Sequence, residues 1–97
     1  MYIVYGSVHI YLPLSSSLKD KRQVIQSIIN RIRKRFNVSI SEVDHHDLWQ
    51  RSALGWAAAC SSYNDAKMIN DVIRDTFEKY EDLAEMTHFE SEIIKHE

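Results

Sequence analysis

Residues Ser17–Ser39 read SLKDKRQVIQSIINRIRKRFNVS, and the rest of the chain can be placed around them. Ser17 suits a helix N-cap, and Asp20 can answer the cap's own N–H as a short capping box. Leu18, Ile25, Ile28, Ile29, Ile32 and Phe36 then recur at helical spacing and fall on one stripe. Arg31 and Lys34 point away from that stripe, and Arg33 and Arg35 flank it. Basic residues in the last turn suit the negative end of the helix dipole. Lys21 and Arg22 fall on the core-facing side of the first turns, so their heads must pass the end of a sheet or meet a carboxylate. Asn37 suits the helix C-terminus, and Val38–Val43 then reads as a strand.

Upstream, Met1–Leu12 alternates with period two. Val4, Gly6, Val8, Ile10 and Leu12 share one parity, assigned to the core. Tyr5, Ser7, His9 and Tyr11 take the other. Pro13 ends that strand, because it has no N–H to give a ladder. Downstream, Asp44-His45-His46-Asp47 is a polar turn, and Gln50–Ser61 is a strand whose alanines and Gly55 allow close packing. The two strands around that turn form a hairpin. Asn64 or Asp65 can cap a second helix with an apolar stripe of Ala66, Ile69, Val72, Ile73, Thr76, Phe77 and Tyr80. The middle of Leu83–Ile94 reads as a last strand. The order β-α-β-β-α-β predicts a ferredoxin-like α+β fold in one domain over residues 1–97. Its four-stranded antiparallel sheet has the order 4-1-3-2, with both helices on one face. That layout brings Lys21 and Arg22 near Glu42, Asp44, Asp47, Trp49, Gln50 and Arg51.

The 97 residues are 44% hydrophobic and 27% charged, with two glycines, one proline and one cysteine. Such a chain builds one core and is not disordered. No apolar run reaches the roughly 20 residues of a membrane span. The N-terminus lacks the marks of a signal peptide, and a lone Cys60 forms no internal disulfide. A reducing, cytoplasmic location is expected. Charge is uneven: residues 1–63 carry eight Lys/Arg and four Asp/Glu, and residues 64–97 carry four and ten. That pattern suits a basic face meeting an anionic partner, or two halves that attract each other.

No constellation names a reaction, so the chain is expected to be no enzyme and to need no cofactor. The histidines lack metal-ligand spacing, so no metal site is expected. Cys60, among alanines, reads as a small buried hydrophobe. The Arg31, Arg33, Lys34 and Arg35 cluster suits phosphates. Tyr5, His9 and Tyr11 look outward from a central strand, as base-stacking aromatics do in the common RNA-recognition domain. The rival is a homodimer that buries Tyr5, Tyr11 and Trp56. Lys21, Arg22, Asp47 and Arg51 form either an ion-pair network or a recognition surface with Trp49 and Gln50 beside it.

SLKDKR (Ser17–Arg22), FNVSISE (Phe36–Glu42), DLWQR (Asp47–Arg51) and the alanine-rich ALGWAAA (Ala53–Ala59) together resemble the YlxP-like family, a bacterial domain of unknown function 503. Asp20 and Ser41 stand where the family pattern has Glu and Ala. The resemblance implies a ferredoxin-like fold. It also implies genes placed beside those of translation initiation factor two and ribosome-binding factor A. From it follows the expectation of a non-enzymatic accessory protein that binds ribosomal RNA or the small ribosomal subunit during assembly or initiation. The alternative expectation is a homodimeric protein-interaction module using the open sheet face. Neither a membrane nor a small-molecule substrate is expected.

Overall fold

In the computed structural model, which describes residues 1–97, the chain runs β1 (Tyr2–Tyr11), α1 (Leu18–Arg33), β2 (Ser39–Asp44), β3 (Arg51–Cys60), α2 (Tyr63–Lys79) and β4 (Glu85–Lys95). The four strands form one antiparallel sheet in the order β2-β3-β1-β4. Read from its other edge this is 4-1-3-2, the ferredoxin-like arrangement expected.

Period two in β1 decides the faces. Val4, Val8, Ile10 and Leu12 are buried, in one cluster with Ile25, Ile28, Ile29 and Ile32 of α1 and Ile69, Ile73 and Phe77 of α2. Directly opposed residues share a face, so the β1 to β3 pairings Val8↔Leu54 and Gly6↔Trp56 put Leu54 and Trp56 inside. Trp56 is thus a core residue, 4% exposed, and does not lie on the open face where a dimer would bury it. Its indole lies over Gly6, where an added Cβ would come within 2.5 Å of the Glu90 carbonyl oxygen and 2.8 Å of Trp56 Cζ2. Glycine at position 6 admits both the neighbouring backbone and the ring.

The caps differ from the sequence reading by small steps. Ser17 caps α1 by accepting the Asp20 N–H at 3.1 Å. The Asp20 carboxylate accepts from Ser16 N–H and Oγ at 3.0 and 2.8 Å rather than from Ser17. Those two bonds hold the Asp20 carboxyl below the usual carboxylate range. Helix α1 ends at Arg33, capped by Lys34, so Arg35–Asn37 lie outside it. Helix α2 starts before Asn64, because Ser62 is its cap and accepts the Asp65 N–H at 3.1 Å.

Two bulges shape the sheet. One lies at Val43, between the pairs Glu42↔Leu54 and Asp44↔Ala53. The extra residue lets Val43 rest over Gly55, where a Cβ would meet its Cγ1 at 3.0 Å. The other lies at Thr87, opposite His9 and Ile10. The Thr87 hydroxyl donates to the His9 carbonyl at 3.2 Å.

Candidate functional site

The hairpin joining β2 and β3 is built around Lys21. This side chain is 0% exposed. Its Nζ donates to the carbonyl oxygens of His45 at 2.8 Å, His46 at 3.2 Å and Arg51 at 3.2 Å. It also pairs with Glu42 Oε2 at 2.9 Å. An ammonium carries three N–H groups, and here four oxygens surround it. Burial opposes ionisation of Glu42, but hydrogen bonds from Ser52 and Lys21, the charge of Lys21 and the nearby His46 outweigh it. The Glu42 carboxyl therefore lies below its ordinary value. Ser52, 1% exposed, donates to Glu42 Oε2 at 2.6 Å.

The loop is held in an uncommon shape. His45 has φ of 63°, the left-handed region that histidine tolerates better than most residues. Asp44 Oδ1 accepts its N–H at 2.7 Å, and its carbonyl accepts from Leu48 N–H at 3.1 Å as well as from Lys21. The His46 ring sits 3.2 Å from the Glu42 carbonyl. Gln50 fastens the hairpin to the β1–α1 loop. Its Nε2 donates to Pro13 O at 3.1 Å and Ser15 O at 3.3 Å, while its backbone carbonyl accepts from Leu12 N–H at 2.8 Å. On this frame Leu48 and Trp49 stand exposed, Trp49 by 54%.

The expected cluster is therefore only partly assembled. Lys21 is inside, but Arg22 is exposed, at the margin of α1 next to β2. Asp47 is exposed and enters no ion pair. Arg51 contributes its carbonyl to Lys21, and its guanidinium lies 5.4 Å over the Tyr11 ring. Glu42, which the layout brought near Lys21, is the carboxylate it pairs with, whereas Ser52 was absent from the expected set. Their signal was the strand parity, which puts Glu42 on the side of Ile40 and Ser52 on that of Leu54.

The basic cluster is divided as well. Arg33 donates to the Ile40 carbonyl at 3.0 Å. Arg35 lies over Phe36 at 5.4 Å, in a depression shared with Asp75 and Glu78 of α2. Arg31 and Lys34 are exposed.

On the open face, β1 presents Tyr5, His9 and Tyr11. The His9 ring lies 6.0 Å from that of His45 and 5.9 Å from that of His88. Tyr5 donates to the Glu92 carboxylate; this bond, the Glu92 charge and burial raise the Tyr5 pKa. Ala53, Gly55, Ala57 and Ala59 of β3 form a low floor beside them, and Glu85, Glu90 and Glu92 of β4 make the opposite side acidic. Cys60 is on the core face, where burial and the charge of Asp65 push its thiol up.

Residues 3–91 match the family described as "Protein of unknown function (DUF503)". The chain is 50% identical over 48 residues to "Uncharacterized protein YlxP" of Bacillus subtilis (strain 168), a match covering 50% of this chain and 52% of that one. It thus spans about half the length of that relative. Among solved structures it resembles a de novo designed ferredoxin-fold protein, LFR1 1 (TM-score 0.55, 16% identity, 99% of this chain and 88% of that one). It also resembles SnoaB, a cofactor-independent oxygenase from Streptomyces nogalater (TM-score 0.60, 5% identity, 100% and 95%). A third is a putative antibiotic biosynthesis monooxygenase from Deinococcus radiodurans (TM-score 0.60, 13% identity, 100% and 93%). At such identities these likenesses show a shared fold alone.

Proposed function

Since the chain belongs to this family of unknown function, over residues 3–91, its role has to be argued from its own surfaces, and we propose a non-enzymatic RNA-binding accessory protein. Its partner is ribosomal RNA or the small ribosomal subunit, met in the cytoplasm during assembly or initiation. The observation that carries this reading is the Arg51 guanidinium, held 5.4 Å over Tyr11 beside exposed Trp49. Aromatic and guanidinium planes stack unpaired bases. The Lys21 clamp fixes the loop that presents them, which lowers the ordering cost of binding. The acidic β4 side directs a polyanion toward β3 and the hairpin. A non-enzymatic role is favoured by the way the Lys21–Glu42 pair is engaged. The Lys21 ammonium faces four protein oxygens, and Glu42 is committed to Lys21 and Ser52.

The test is purification of the tagged protein from its host at low salt, followed by sequencing of the bound RNA. Small-subunit RNA should co-purify, and Trp49→Ala plus Arg51→Ala should deplete it at least tenfold. Both side chains leave the Lys21 clamp intact, because Arg51 enters it through its carbonyl. Equal recovery with the variant would reject this assignment.

A second reading is a homodimer through the open face. It is favoured by exposed Val43 and Ile94 beside a floor low enough for close sheet packing. Light scattering decides: a dimer that Tyr11→Asp converts to monomer supports it, and a monomeric wild type at micromolar concentration removes it.

A further inference from the structure

We propose that the groove between α1 and β2 is a track for the phosphodiester backbone of single-stranded RNA. The inference rests on the RNA reading above and adds a second site to it. Lys19, Arg22, Gln26 and Arg33 line one side of this groove, over a floor of Ile29 and Ile40. At about 3.6 residues per turn these four polar residues fall within an arc of about 60°. At about 1.5 Å rise per residue they span about 21 Å along the helix. Arg31 and Lys34 lie on another side of the helix, so the groove takes only Arg33 from the basic cluster in the last turn.

The three cations of the groove are available. Lys19, Arg22 and Arg33 are exposed, and none is in an ion pair. Arg33 is braced by its bond to the Ile40 carbonyl and keeps its remaining donors free. The single carboxylate in the groove, Glu42, is neutralised from behind by Lys21. The groove starts at the hairpin end, on the helix side of the sheet, and is separate from the Arg51–Tyr11 stack on the open face. It also supplies positive charge that the open sheet, with Glu85, Glu90 and Glu92, does not. An acidic peptide adding itself to the β2 edge fits less well. The carbonyls of Ile40 and Glu42 already accept from Arg33 and sit against His46, so two acceptors of that edge are engaged.

The experiment measures binding of a fluorescein-labelled 12-nucleotide oligouridine by anisotropy across a salt series, beside a labelled oligoglutamate of the same length. Three phosphate contacts give a log–log salt slope of about −2 for a single strand. Lys19→Glu plus Arg22→Glu should weaken RNA binding more than tenfold and flatten that slope by about 1.4. Arg31→Glu plus Lys34→Glu should change it less than twofold. All four side chains are exposed, so circular dichroism should show both variants folded. Wild-type binding with no loss in the groove variant overturns the track and leaves the RNA reading standing. No RNA binding by the wild type, with or without capture of oligoglutamate, overturns both.

Discussion

Lys21 Nζ and Glu42 Oε2 stand 2.9 Å apart, with the lysine 0% and the glutamate side chain 17% exposed. The pair ties the first turn of α1 to β2, and the three carbonyls on Lys21 tie both to the hairpin loop. Removing one partner of such a pair strands the other, which costs more than the pair itself contributes.

Lys21→Met should therefore destabilise the fold by about 3–5 kcal/mol. Lys21→Met with Glu42→Leu should recover part of that loss, because the charge left behind goes too. The remaining deficit comes from the carbonyls of His45, His46 and Arg51. Urea unfolding of both variants checks the difference, and equal stability of the two would show that Glu42 is not the partner that matters.

The depressed Glu42 pKa has a pH consequence. A carboxyl whose folded value lies below its unfolded value adds stability that is present above the unfolded value of about 4.3. That stability is lost as pH falls through the folded value. Acid unfolding of the wild type should steepen below about pH 4.3. In Glu42→Gln the curve should be flatter there. Asp20 is shifted the same way, so Asp20→Asn should remove a further part of the slope.

Tyr5 offers the opposite sign. Its raised pKa comes from donating to the Glu92 carboxylate. In an ultraviolet titration the Tyr5 phenol should ionise above the ordinary tyrosine value, and Glu92→Gln should bring it back toward that value.

Gly6 and Trp56 should be coupled. Gly6→Ala pushes a methyl group against the Glu90 carbonyl oxygen and the indole and should cost about 1–3 kcal/mol by overpacking. In a Trp49→Phe background only Trp56 emits, so its emission should be blue-shifted in the parent and move to the red in Gly6→Ala. Unchanged stability and emission would mean that the core yields at little cost.

The two helix caps should act independently. Ser17→Ala and Ser62→Ala each remove the acceptor for one helix N–H and should cost about 1 kcal/mol apiece. The double variant should lose the sum to within about 0.5 kcal/mol, as expected for distant sites.

Much of this molecule was legible in one dimension. The faces of β1, the stripes of both helices and the hairpin around Asp44–Asp47 follow from spacing alone. So does the arrival of Lys21 at the hairpin, once the element order implied the topology. Errors entered where local signals were degenerate. Ser62, Asn64 and Asp65 are all good caps, and the basic run after Asn30 holds no glycine or proline to mark where α1 stops.

The sequence by itself determined which residues face inward and in what order the elements come, because both depend on periods of a few residues. Tertiary structure decided which groups meet. The bulge at Val43 keeps Glu42 on the core side and turns Asp44 outward, so Lys21 finds Glu42 and leaves Asp47 in solvent. The β1–β3 register sets Trp56 over Gly6, and the packing of α1 beside β2 brings Arg33 to the Ile40 carbonyl. A strand register or a bulge moves side chains by whole faces, and no short-range spacing encodes it.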